Sequence, residues 1–327
     1  MTEMMKAAVA SEKGLLVKRV ARPQPTSEQV LVRVLAAGMN RADLNAAKGT
    51  GVASKDSWGK PIGMEWAGEV VAVGNAVTAF RAGELVMCSG TGGYAEYAVA
   101  DFGRTISLAG SNLSIEQASA LPLALMTAHD AVVTNGRVRA GDTVLVQGAS
   151  SAVGLASMQT AKNAGARLVI GTSTSKERSA RLSEFGADLV VNPTDESWIN
   201  QVLEASNNQG ANVIVDMVSG ATVNGSMRAA AVKARMVNVG RLGGMKVDFD
   251  LDLHALKRLN YIGTTFRTRS VAEVREIVRA MHADLWGPIV SGKVRLPIDR
   301  VFALDEAVAA HKHMASNAHF GKIVLKP

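Results

Sequence analysis

The first hundred residues alternate between apolar and polar positions. Gln29-Val-Leu-Val-Arg-Val34 sends successive side chains to opposite faces of an extended chain, which predicts a half-buried strand. Residues 69–74, 84–88 and 94–99 repeat the pattern, and glycines at 38, 63, 68, 74, 83, 92 and 93 punctuate it. Short strands between glycine turns predict a compact, barrel-like β domain. Near Leu121-Pro122 the period changes. A helix is expected over 124–133, and then short apolar runs alternate with helical stretches. Strands are predicted at 143–147, 167–171, 188–191, 213–217 and 236–240. Helices are predicted at 152–164, 176–185, 198–206 and 222–232. This order predicts an α/β fold with a doubly wound parallel sheet and helices on both faces. The end of the chain returns to mixed structure, with helices at 271–283 and 305–315, an extended 293–295 and a strand at 322–325.

The 327 residues exceed the usual single core, so two domains are expected. An apolar fraction of 47% and a charged fraction of 20% are ordinary for a globular chain. No apolar stretch reaches the roughly 18 residues of a membrane span. The first ten residues lack the apolar region of a signal peptide. The single cysteine, Cys88, cannot form an internal disulfide, which agrees with a cytoplasmic protein. A net charge of +7 admits a merely basic surface or attraction of a polyanion. The cations are spread along the chain without a block of five, which favours the first reading, with some steering of an anionic cofactor.

The main chemical signal is Val144-Leu-Val-Gln-Gly148-Ala-Ser-Ser-Ala-Val-Gly154. An apolar strand runs into a turn of small residues and opens a helix. Small residues let the backbone approach a pyrophosphate, and the helix N-terminus supplies free N–H groups and a favourable dipole. Tight packing of helix on strand is the competing explanation; the βαβαβ context favours a dinucleotide. After the second strand, Gly171-Thr-Ser-Thr-Ser-Lys176-Glu-Arg178 carries no acid at the strand end for a ribose diol. Ser173, Lys176 and Arg178 suit a 2′-phosphate, which points to NADPH. An ordinary helix start, with Ser or Thr as N-cap, is compatible with the same residues.

Several segments together resemble the medium-chain dehydrogenase/reductase superfamily, and within it the zinc-independent quinone oxidoreductases. They are Ala36-Ala-Gly-Met-Asn40-Arg-Ala-Asp43, Gly63-Met-Glu-Trp-Ala-Gly68 through Gly74, and Gly92-Gly-Tyr-Ala-Glu-Tyr97. Leu121-Pro-Leu-Ala-Leu-Met-Thr127, the turn at 148–154, Ala310-His-Lys-His-Met314 and Gly321-Lys-Ile-Val-Leu325 complete the set. The Asn-Arg-Ala-Asp segment and the C-terminal run are most similar to the p53-inducible quinone oxidoreductase branch. The resemblance implies a GroES-like catalytic domain (1–122 and 267–327), an inserted Rossmann domain (123–266), and a nicotinamide in the cleft between them. Met39-Asn40 and Met64-Glu65 stand where zinc-dependent relatives carry cysteine and histidine, so no metal is expected. One thiol and six scattered histidines supply no other zinc site.

The resemblance also assigns roles. Asn40 and Thr127 would line the nicotinamide side, and Ser150, Ser151, Ala152 and Val153 would pass the pyrophosphate. Ser173 and Lys176 would take the 2′-phosphate. Gly240, Arg241 and Leu242 would flank the nicotinamide riboside; Phe266, Arg267 and Thr268 would contact its amide. Asn317, Gly321 and Lys322 would close the cofactor cleft. Three departures stand out. Ser151-Ala152 replaces a Gly-Gly pair, Val191-Asn192-Pro193 lacks a tyrosine found near the 2′-phosphate, and Asn45 replaces a substrate-side tyrosine.

The expected reaction is hydride transfer to a quinone or another α,β-unsaturated carbonyl, a substrate polarised by its own conjugation. Asn40 is the expected positioning residue and Asn45 lies on the substrate side. Solvent is the default proton source, and Asp43 reads as a turn-stabilising carboxylate. The rivals are an enoyl-thioester reductase and a non-catalytic NADPH- or RNA-binding protein; the absence of an aromatic-interleaved basic patch argues against nucleic acid. A homodimer is expected by analogy, paired through a strand near Gly263-Thr-Thr265. Residues 48–60 are expected to rim the pocket. His311 and His313 lie two apart on a helix and share no face. Trp66 and Cys88 read as core.

Overall fold

The computed structural model describes residues 3–48 and 58–327; most of the expected pocket rim therefore lies outside the described residues. In chain order the elements begin with β1 (Met4–Ser11), β2 (Gly14–Ala21), β3 (Gln29–Gly38) and α1 (Arg41–Ala46). Next come β4 (Glu65–Val73), β5 (Leu85–Ser89), β6 (Tyr97–Asp101), β7 (Thr105–Ser107), α2 (Ile115–Ser119) and α3 (Pro122–His129). The alternating region holds β8 (Thr143–Gln147), α4 (Ala152–Asn163), β9 (Leu168–Thr172), α5 (Lys176–Ser179), β10 (Leu189–Val191) and α6 (Trp198–Ala205). It continues with β11 (Ala211–Asp216), α7 (Thr222–Ala229), β12 (Ala230–Asn238), α8 (Leu251–Lys257) and β13 (Asn260–Gly263). The chain ends with α9 (Val271–Val290), β14 (Ile298–Ala303), α10 (Ala307–Ala315) and β15 (Lys322–Lys326).

Two units form. The first comprises Met1–Leu123, Val271–His282 and Leu296–Pro327; the second comprises Ala124–Ser270 and Ala283–Arg295. In the first, a seven-stranded sheet runs β14-β15-β3-β4-β5-β7, with β6 also on β3 and β1–β2 as a separate hairpin. β3 is more buried than a half-buried strand, because β4, β6 and β15 all pair with it. Trp66 and Tyr94 are wholly buried in this core, and so is the side chain of Lys322.

The second unit is a six-stranded sheet in the order β10-β9-β8-β11-β12-β13, parallel throughout. Every residue of β8, Thr-Val-Leu-Val-Gln, is buried, as expected of a central parallel strand covered on both faces. The 283–295 stretch, which the sequence reading places in the first domain, belongs here. Leu285 and Ile289 are buried, Asp284 Oδ2 lies 2.8 Å from His129 Nε2, and Arg295 exchanges two 2.9 Å hydrogen bonds with the Gln159 amide. Pattern alone could not locate this boundary, because it falls inside the continuous helix α9.

Other boundaries move for local reasons. α3 gives way to a π-helical turn at Asp130–Asn135 rather than continuing as an α-helix. The 176–185 helix breaks into α5 and a 3-10 turn, Leu182–Phe185, ended by Gly186 at φ +95°. α7 stops at Ala229 because Ala230 enters the sheet opposite Ala211. No strand forms at 293–295; the extended chain starts later, as β14, where Ile298 pairs in parallel with Lys322 of β15. Among the described residues no helix is long and apolar enough to cross a membrane.

Candidate functional site

In the second unit the strand order reverses at β8, with β9 on one side and β11 on the other. Chains leaving two such strands diverge, opening a crevice beyond their carboxyl ends where open α/β sheets bind ligands. The Gly148 turn sits there. Gly148 adopts φ +74°, and its amide donates to Thr172 Oγ1 at 3.0 Å. Ser151 caps α4: its Oγ accepts from Gly154 N at 3.1 Å and donates to Gly148 O at 2.9 Å. A Cβ on Gly154 would lie 2.6 Å from Gly148 O, so glycine is what lets the helix start so close to the turn. Ser150, Ser151, Ala152 and Val153 surround the first turn and are half-buried. The structure thus brings these four together where unpaired N–H groups and the helix dipole favour an anion.

Thr172 supports this turn, and the sequence reading does not single it out. It is buried, accepts from Gly148 N, and donates to Gln147 Oε1 at 2.9 Å; Gln147 in turn donates to Ser226 Oγ at 2.9 Å. This buried chain ties the turn to the end of β9. A threonine ending a strand carries no signal of that role. Beyond it, Ser173 is buried and exchanges 3.3 Å contacts with the Ser175 backbone. Lys176 is exposed and Arg178 half-buried, and Ser175 caps α5 by accepting from Arg178 N at 3.3 Å.

The remaining second-unit residues are spread out. Thr127 lies half-buried on α3. Gly240 is explained by packing, since a Cβ there would meet Met217 O at 2.5 Å. Arg241 lines a cavity of about 760 Å³ with Ser219, Asn238 and Tyr261, and no residue of the Gly148 turn lines it. Leu242 is 58% exposed. Phe266 lies under the Arg269 guanidinium at 5.6 Å, while Arg267 and Thr268 are exposed.

The first unit holds a buried polar cluster around Asn40. Lys322 Nζ donates to Asn40 Oδ1 at 2.8 Å and forms an ion pair with Glu65 Oε1. Asn40 Nδ2 donates to the same Glu65 oxygen at 2.9 Å, and Glu65 Oε2 accepts from Leu123 N at 2.7 Å. On the other side, Asp43 Oδ2 accepts from Asn40 N at 2.8 Å and from Tyr94 OH at 2.6 Å. Asp43 is wholly buried, and burial pushes its carboxyl up to about 7; burial and the neighbouring Asp43 hold the Tyr94 phenol well above its usual range. The edge of the Tyr94 ring meets His311, whose imidazole burial lowers to about 4.

The backbone makes room for this cluster. Gly38 stands opposite Glu65 on β4 and opposite Val324 on β15, and its missing side chain leaves space for the Glu65 carboxylate. Gly321 holds φ +85°, and a Cβ there would collide with Pro297 O, so its glycine has a conformational cause. Lys322, expected as a cofactor contact, is 1% exposed, and its ammonium is turned to Glu65 and Asn40. Asn317 is exposed in the left-handed region at φ +59° and accepts from Arg41. Asn45 is on the exposed side of α1, whereas Asn40 is half-buried.

The candidate histidines and core residues follow their neighbours. His313 binds Asp299 at 2.7 Å, whereas His311 is buried, in keeping with their different faces. Trp66 and Cys88 are wholly buried, and burial raises the Cys88 thiol to about 12, which makes it unreactive. Among the described residues no group of three or more His, Cys, Asp or Glu side chains could hold a metal ion.

Comparison with known proteins agrees with this architecture. The alcohol dehydrogenase GroES-like domain family matches residues 26–110, and the zinc-binding dehydrogenase family matches residues 152–283. A quinone oxidoreductase of Rattus norvegicus is 31% identical over 94% of this chain and 91% of its own length. One of Pseudomonas aeruginosa is 31% identical over 93% of each. The crystal structure of a Pseudomonas syringae quinone oxidoreductase superposes with a TM-score of 0.86 over the whole of both chains, at 27% identity. The fold, the nucleotide turn and these relatives agree: the chain is an oxidoreductase that belongs to the quinone oxidoreductase family of the medium-chain dehydrogenase/reductase superfamily.

Proposed function

We propose that this protein uses NADPH to reduce quinones and other α,β-unsaturated carbonyls, and that it does so without zinc. The observation that carries the reading is the Asn40–Glu65–Lys322 cluster. A zinc site needs three or four Cys, His or carboxylate donors. Here Asn40 and Met64 offer no such donor, a buried ammonium already holds the Glu65 carboxylate, and Asp43 is taken up by Asn40 N and Tyr94 OH. A dication beside that ammonium would be repelled in a low-dielectric interior. The residues therefore do not fit zinc, and a substrate already polarised by conjugation suits the site better than a simple alcohol.

The nucleotide turn fits a dinucleotide. Its small residues and the opening of α4 leave N–H groups for a pyrophosphate, and Gly154 lets the helix start close against the turn. At the end of β9 the residues are Ser173 to Lys176, without a carboxylate to repel a 2′-phosphate, which supports NADPH over NADH. When bound, the reduced nicotinamide supplies the hydride. Asn40 orients a bound reactant with an amide of fixed direction. Asn45 does not ionise, so water provides the proton.

The test is NADPH oxidation by EDTA-dialysed protein with 1,4-benzoquinone, 9,10-phenanthrenequinone, a simple enone and an enoyl thioester, with NADH in parallel. Quinone turnover that prefers NADPH and survives EDTA is expected. Turnover that requires added zinc, or that appears only with the thioester, overturns the proposal.

A second copy of the chain is the proposed partner. β13 is an edge strand with 39% of Tyr261 exposed, and Met245, Leu251 and Leu256 are exposed large apolar residues of nearby segments. An unpaired edge of this kind is satisfied by a twofold pairing. Light scattering is expected to give twice the 34.3 kDa chain mass, and Tyr261→Lys to give a monomer with an unchanged circular dichroism spectrum. A parent protein that is monomeric at micromolar concentration would refute this pairing.

A further inference from the structure

The buried ion pair has a geometry beyond that of a structural contact. Lys322 lies on β15 and Glu65 on β4, with β3 between them and Gly38 at the crossing. Ammonium and carboxylate meet the two ends of one amide. The ammonium can only donate and takes Asn40 Oδ1; the carboxylate accepts and takes Nδ2. The orientation of that amide is therefore set by charge, and flipping it would face donor to donor and acceptor to acceptor. The backbone of the same residue is held by Asp43, so main chain and side chain are fixed independently. Asn40 is nevertheless half-buried; its second Nδ2 proton reaches Gly38 O at 3.5 Å, and its Oδ1 keeps acceptor capacity beyond the bond to Lys322. A positive charge on the oxygen side and a negative charge on the nitrogen side polarise the amide in the sense of its own dipole, which strengthens the bonds it has left to make.

We propose that Lys322 is a positioning residue for the reaction: together with Glu65 it locks and polarises the Asn40 amide that faces the bound reactants. The sequence reading gives Lys322 a direct cofactor contact; the structure gives it an indirect role. The proposal rests on the reading of Asn40 as a positioning residue, and its test separates the two.

Lys322→Met alone leaves Glu65 buried and unpaired and is expected to destabilise the fold. The informative variant is Lys322→Met with Glu65→Gln, which removes both charges while the new glutamine amide can still bond to Leu123 N and Asn40. Removing a buried pair together is often close to neutral for stability. In the double variant kcat with quinone is expected to fall on the order of 10- to 100-fold, because a misplaced positioning group costs that much. The quinone KM should change less than kcat, and adding Asn40→Ala should lower kcat little further. The side-chain amide resonances of Asn40, identified by their loss in Asn40→Ala, provide a readout that needs no turnover. They are expected to shift in the double variant and their two protons to become more alike. A double variant that folds, keeps the parent kcat and leaves the Asn40 resonances in place overturns the proposal and makes the pair purely structural. A parent protein inactive with quinones, whose Asn40 resonances still shift in the double variant, would refute the substrate reading and leave the positioning role standing.

Discussion

Gly38→Ala is expected to lower unfolding free energy by roughly 3 kcal/mol and to remove most of the turnover, as overpacking of a tight core does. An alanine Cβ at this position would collide with Ser119 O and lie 2.8 Å from Glu65 Oε1. Neither neighbour can give way easily. Ser119 O is backbone at the end of α2, and the Glu65 carboxylate is held by Lys322, Asn40 and Leu123. Pushing the carboxylate aside also releases the Asn40 amide, so stability and activity fall together. Gly287 is the control: it lies on α9, and a Cβ there would meet nothing within 4 Å beyond its own chain neighbours, of which Pro288 is one. The helical gain of alanine is opposed there by the Pro288 ring, so stability should change by less than about 1 kcal/mol. Urea unfolding of both variants, with NADPH oxidation alongside, checks the pair. A Gly38→Ala protein as stable as its parent would sink the crowding argument.

The second large effect is a pair of opposed pH dependences within one side-chain cluster. Asp43 is raised from 3.8 to about 7 by burial, so its contribution is fully present below about 3.8 and is lost as pH rises through about 7. His311 is lowered from 6.5 to about 4, also by burial, so its contribution is present above about 6.5 and is lost as pH falls through about 4. Each group changes stability by at most about 1.4 kcal/mol per pH unit inside its window. Between about 4 and 6.5 the two slopes cancel. The difference between each variant and the parent isolates one group. Relative to the parent, Asp43→Asn should grow more stable as pH rises across that window, and His311→Gln should grow less stable. Denaturant titrations at pH 4.5, 5.5 and 6.5 measure both trends. A His311→Gln difference that is flat with pH would show that the imidazole titrates normally and that its burial carries no penalty.

The nucleotide-binding half was readable because its signals are local. The strand–turn–helix of 144–154, the strand–helix alternation after it, and the lack of an acid after β9 all lie within short windows of sequence. The errors there are also local. β12 begins at Ala230, where the sequence pattern still reads as helix, because pairing with Ala211 outweighs helical propensity. The π-helical turn at Asp130–Asn135 has no sequence signature comparable to a cap.

The Asn40 cluster was only half readable. That Asn40 and Met64 offer no metal-binding cysteine or histidine follows from residue identities alone. The resemblance gives Lys322 a cofactor contact and nothing local in the sequence marks it as buried: a lysine opening a strand is usually exposed, and only a partner 257 residues away makes its burial tolerable. Asp43 reads as a turn-stabilising carboxylate; the structure has it accept from Asn40 N at the start of α1, and its raised titration comes from burial by distant elements.

Residue identities alone settle the strand–helix alternation of the second unit, the small-residue turn at 148–154, the absence of cysteine and histidine at 39–40 and 64–65, and the family. These depend on backbone propensity, on residue size and on which donor atoms exist at all. Where charge can be buried, and in which direction an amide points, is settled by packing. Both depend on the three strands β15, β3 and β4 lying side by side. A glycine at their crossing gives a carboxylate and an ammonium the space to meet, and no local pattern in the chain encodes that meeting.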